Sequence, residues 1–126
     1  MKHSRIHGLL FASLLVLALA AGCDKTSVSP APITVEELSP ALDKAFGKAT
    51  AEVKALASQI AGELKLPDYP KAYFDLQALS GKSGLTKEQA SIVGRGLLCL
   101  NNVLQAAQSN GDQKAAQTLQ RQRMYK

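Results

Sequence analysis

From Leu42 to Leu64 apolar side chains recur at steps of three and four: Leu42, Ala45/Phe46, Ala49, Val53, Leu56/Ala57, Ile60 and Leu64. A backbone turning through about 100° per residue places them on one stripe, so the segment must bury one long face and keep the other wet. Nowhere does the chain show the period-two, β-branched alternation of a half-buried strand. The pattern predicts an all-α fold, which local signals then divide. Thr34 and Glu37 form a capping box, with Ile33 and Leu38 as its hydrophobic staple. Ser39-Pro40 reads as a restart, and one long amphipathic helix is expected from there to Leu66-Pro67. Asp68 or Tyr69 with Pro70 opens a shorter helix that carries Tyr73, Leu76 and Leu79 and stops at Gly81.

After the turn Gly81–Gly84, Thr86 and Gln89 form a second capping box, with Leu85 and Ala90 as its staple. The helix they start runs to about Ser109 with a broad apolar face: Ile92, Val93, Gly96, Leu97, Cys99, Leu100, Val103, Leu104 and Ala107. That width predicts a central helix touched on more than one side. Asn110-Gly111 closes it, and Asp112 caps a last helix to about Arg123. The expectation is a small bundle of about four helices of unequal length, antiparallel to their neighbours because the loops are short. The turn near Ser109–Lys114 has a faint tetratricopeptide flavour, but no second copy of the unit exists, so no repeat array is expected.

The first 22 residues are of another kind. Lys2, His3 and Arg5 precede an uncharged Leu/Ala-rich run from Gly8 to Ala21. At 14 residues this run is short for a membrane span, which needs about 20, and it suits a signal-peptide core. It ends Leu19-Ala20-Ala21-Gly22-Cys23, which resembles the lipobox of bacterial lipoproteins, with Ala20 where that pattern more often has Leu. The resemblance implies cleavage before Cys23, a covalent diacylglycerol on its thiol and an acyl chain on its freed amine. It also implies a membrane anchor in a bacterial envelope, facing the periplasm. Asp24 in the next position implies retention in the inner membrane rather than sorting to the outer one. Ala18-Leu19-Ala20 also matches an ordinary signal-peptidase site, the lesser alternative, which would release an unlipidated protein. Three regions follow: a leader (1–22), a lipidated cysteine with a flexible Ser/Pro-rich tether (23–33), and a helical domain (34–126).

Cleavage would change the composition. Of 126 residues, 104 would remain, with 13 Lys/Arg against 10 Asp/Glu. This mild, scattered charge gives no basic face for nucleic acid. Both histidines, His3 and His7, fall in the leader, so the domain lacks the commonest general base and metal ligand. With Cys23 lipidated, Cys99 is the one remaining cysteine, and neither a zinc knuckle nor a CxxC pair can form. No enzyme activity, metal or cofactor beyond the lipid is expected.

Several residues merit a functional reading beside a plain one. Cys99 reads as a small buried hydrophobe rather than a reactive thiol. Tyr69, Tyr73 and Phe74 hold half the aromatics and offer either an interaction lip or ring packing between helices. Gly94 and Gly96 flank Arg95 without the strand or Gly-Lys-Ser/Thr of a phosphate loop, so they point to a close helix crossing. Ser80, Lys82 and Ser83 read as turn chemistry. The basic tail Gln120–Lys126 resembles that of the murein-bound lipoprotein of enteric bacteria, whose terminal lysine is joined to peptidoglycan; Lys126 would be the matching residue. Unlike that family, this chain is longer and interrupted by glycines, without a continuous heptad. The sequence therefore predicts a non-catalytic envelope module that binds another envelope protein. A membrane-to-wall tether through Lys126 and a carrier of a small apolar ligand are the alternatives.

Overall fold

The computed structural model describes residues 30–125; the leader, Cys23, Asp24 and Lys126 lie outside them. Among the described residues there are five packed helices and no strand: α1 (Val35–Phe46), α2 (Ala51–Lys65), α3 (Tyr69–Ser80), α4 (Lys87–Ser109) and α5 (Gln113–Met124). Each of α1 to α4 packs on its predecessor or successor, except that α1 also meets α4, which closes a four-membered ring; α5 lies on α4 and touches α3. At 23 residues α4 is about 35 Å long, against about 18 Å for the 12-residue α1 and α3. Its C-terminal half outlasts the ring, and α5 folds back along that extension, burying Ala115 and Leu119 with Leu104 in one core.

The expected long helix is in fact two. The 3–4 spacing runs unbroken through Ala45/Phe46, Ala49 and Val53, but the chain leaves the helix after Phe46 and starts another after Thr50. A straight helix from Pro40 to Lys65 would be about 39 Å long and could lay only part of its stripe on this core. Reversal at Gly47–Thr50 brings Leu38, Leu42 and Phe46 into the same core as Ala57, Ile60 and Leu64. Tertiary bonds support the break. Gln89 Nε2 donates to the Ala45 carbonyl at 3.0 Å, satisfying an end group of α1. Five helices thus replace the expected four.

The expected restart at Ser39-Pro40 is also corrected, because α1 continues through it. Pro40 sits exposed inside the helix, and Ser39 is buried instead of capping. Its hydroxyl donates to the Ala61 carbonyl at 3.3 Å and so stitches α1 to α2. The other signals act as read, except the second staple. Both capping boxes form, Thr34 with Glu37 and Thr86 with Gln89. Ile33 and Leu38 are both buried in the core, whereas Ala90 is exposed and gives Leu85 no buried staple partner. Asp68 caps α3 and Asp112 caps α5. Gly84 and Gly111 turn with φ of 77° and 89°, where a side chain would be strained.

Candidate functional site

The three aromatic residues singled out on α3 do not share one lip. Tyr73 is buried in the core, its hydroxyl accepting a long hydrogen bond of 3.4 Å from Gln77 Nε2. Burial pushes its phenol above the ordinary tyrosine range. Tyr69 turns toward the ends of α1 and α2, where it lines a hollow with Val35, Pro40 and Leu64. Phe74 packs edge-on against Tyr73, centroids 6.1 Å apart, and faces α5, whose Arg121 guanidinium lies 5.7 Å from its ring centre. Position 74 is a step of 100° from 73, which is why adjacent rings separate into core and surface.

Phe74 stands in an open groove of about 310 Å³ between α3 and α5. Pro70, Lys71 and Asp68 line it from the α3 side, and Lys114, Gln117, Thr118 and Arg121 from α5. One wall is stiffened by a polar cluster linking α2 to α3. Lys71 Nζ pairs with Glu63 and, at 2.7 Å, with Asp75; Gln59 Nε2 donates to both carboxylates, at 3.0 Å to Glu63 and 2.8 Å to Asp75. These hydrogen bonds, that to Asp75 first, raise the Lys71 ammonium above the ordinary lysine range. Burial opposes ionisation of Asp75, yet the bond from Lys71 and its charge hold the carboxyl below the usual carboxylate range. Glu63 is only 8% exposed, and its Oε2 is buried without a hydrogen-bond partner among the described residues.

A second groove, of about 250 Å³, runs where the Pro-rich segment crosses α4. Pro30, Pro32 and Ile33 form one side; Arg95, Leu98, Cys99 and Asn102 form the other. Arg95 Nε donates to the Ala31 carbonyl at 2.6 Å, and Ile33 is buried, so the last residues before α1 are strapped to the bundle. Leu98 is 63% exposed. Cys99 is half-buried, and burial together with the charge of Glu36 raises its thiol above the ordinary value. Such a cysteine stays protonated at neutral pH and is a poor nucleophile.

The turn residues take structural roles. Ser80 Oγ donates to the Gln77 carbonyl at 2.6 Å, and Lys82 pairs with Glu52. Among the described residues no three His, Cys, Asp or Glu side chains are grouped to hold a metal ion. Among the same residues no helix is long and apolar enough to cross a membrane.

Lys114 and Leu98 were not singled out in the sequence, Arg95 entered only as the residue between two glycines and Arg121 only as part of the basic tail, although one signal was legible. Lys114 and Arg121 are seven residues apart on a helix whose sole nearby acid, Asp112, is its cap, so their shared cationic edge follows from helical spacing. That the edge borders Phe74 depends on where α5 docks. Comparison with known protein families, with characterised proteins and with solved structures finds no match to this chain.

Proposed function

We propose that this chain is a lipid-anchored envelope protein whose helical domain binds another envelope protein without catalysing a reaction. One observation carries the anchoring: the charged start, short apolar core and Leu19-Ala20-Ala21-Gly22-Cys23 ending of the leader, in that order. On this reading residues 1–22 are removed and Cys23 carries diacylglycerol and an acyl chain. Each methylene they bury contributes about 0.8 kcal/mol to membrane binding. Asp24 favours the inner membrane. Residues 24–29 then span the interval between lipid and bundle, a reach of at most about 25 Å from Cys23 to Pro30. Partner binding is supported by the two open grooves, each combining apolar floor with cationic rim.

The test is the intact mass of the protein purified from envelopes after wall digestion. The expected mass is that of Cys23–Lys126 plus acyl groups, and it should vanish in Cys23→Ala. A bare mass beginning near Ala21 would overturn the anchor. An added peptidoglycan fragment on Lys126 would replace partner binding with a wall-tethering role.

A further inference from the structure

We propose that the α3–α5 groove is the docking site of an acidic, amphipathic helical segment of another protein. The proposal rests on the reading of the domain as a partner-binding module and names the partner's chemistry. Lys114, Gln117 and Arg121 fall at helical spacing along the α5 rim of the groove, and Phe74 lies beneath the Arg121 guanidinium. Met124 and Tyr125, three and four residues beyond Arg121, continue toward the same side and are 70% and 84% exposed. Apolar floor, cations and exposed apolar end thus form one strip.

The charge on that strip is uncompensated. Among the described residues no carboxylate lies within ion-pair distance of Lys114, Arg121 or Arg123. The groove's own carboxylate, Asp68, accepts the Lys71 backbone N–H at 3.4 Å as the α3 cap. Asp112 is committed likewise to the Ala115 N–H at 3.1 Å. Lys71 is already held by Glu63 and Asp75, which leaves Lys114 and Arg121 to an incoming anion.

Spacing and shape specify that anion. Lys114 and Arg121 are two helical turns apart, about 10.5 Å along the axis. A partner helix bearing carboxylates seven residues apart matches both, with Arg121 able to grip one of them in a two-pronged bond. Its apolar side would then cover Phe74 and Met124. The Arg121 guanidinium leaves the ring for the carboxylate as the partner takes its place over Phe74. The aromatic floor lies between two helices, the shape into which an amphipathic helix lays its apolar face.

The test places a photo-crosslinking amino acid at Gln117, or at Leu98 in the other groove, in the full chain expressed in its own cells. The crosslinked peptides are then sequenced. We expect capture at Gln117 of a segment with acidic residues seven apart. Lys114→Glu with Arg121→Glu should cut its yield about tenfold, as for paired charges at an interface rim. Lys54→Glu, an exposed reversal on α2, should leave the yield unchanged. Reversing the captured segment's own acids to lysine should restore capture by the double variant. Capture at Leu98 alone would overturn this site and leave the partner-binding role standing; capture at neither would overturn both. Lipid, a second copy of this chain, or a segment without acids at Gln117 would each overturn the proposal.

Discussion

Gly94 and Gly96 stand two residues apart on α4 and meet opposite surroundings. A Cβ on Gly96 would lie 2.8 Å from methyls of both Leu38 and Leu76, which are fully buried; one on Gly94 would meet nothing within 4 Å. Gly96 is therefore where α1 and α3 close upon α4, and Gly94 is a helix-weakening residue on the wet side. Gly94→Ala should stabilise by about 0.5–1 kcal/mol through helix propensity. Gly96→Ala should destabilise by about 1–2 kcal/mol, because displacing two packed leucines outweighs the same propensity gain. Urea unfolding of the pair checks both signs. The sequence presented the two glycines as equivalent candidates for a helix crossing, since periodicity alone does not say which one lies under a neighbour.

At the scale of elements, the joint between α1 and α2 depends on a residue of α4. Gln89 serves two helices: its Oε1 accepts the Thr86 N–H at 2.9 Å, and its Nε2 reaches the Ala45 carbonyl. Gln89→Glu keeps the first bond and loses the second, setting a carboxylate against a carbonyl. It should cost about 1–3 kcal/mol, measured by thermal or urea melting. The capping-box half of this role was legible from Thr86 three residues before. The other half spans 44 positions, and no local pattern encodes it. The α2–α3 cluster makes a pH-dependent joint. Asp75 in this cluster, Glu37 at the α1 cap and Glu52 against Lys82 are all depressed in the fold, by the partners Lys71, Thr34 and Lys82 respectively, so their stabilisation is complete above the ordinary carboxylate range. It is lost as pH falls through the depressed values, that is, below about pH 4. Asp75→Asn should lower the melting temperature at pH 7 and make its decline below pH 4 shallower, as followed by circular dichroism.

At the scale of the whole molecule, residues 30–33 form a strap laid across α4. Arg95 ties the strap down over Leu98 and Cys99. Arg95→Ala should loosen it and speed alkylation of Cys99 several-fold at pH 8, read by mass spectrometry of the Cys99 peptide. Wild-type Cys99 should react more slowly than a free thiol, since burial raises its pKa. An unchanged rate in the variant would show that the strap does not shield the sulfur.

The amino-acid sequence by itself determined the all-α class, the caps at Thr34, Thr86 and Asp112, and the approximate extents of α3, α4 and α5, while leaving the start of α3 between Asp68 and Tyr69. These rest on helical periodicity and on bonds between residues three or four apart, which a linear reading contains. It also held the lipobox resemblance, a property of consecutive residues. Only tertiary structure decided that the stripe from Leu42 to Leu64 folds back at Gly47. The same apolar spacing serves a straight helix or a hairpin, and burial of both halves in one core selects the hairpin. Tertiary structure likewise sent Tyr73 inward and left Phe74 beside Lys114 and Arg121, because the face that becomes a groove depends on which helix docks next to it.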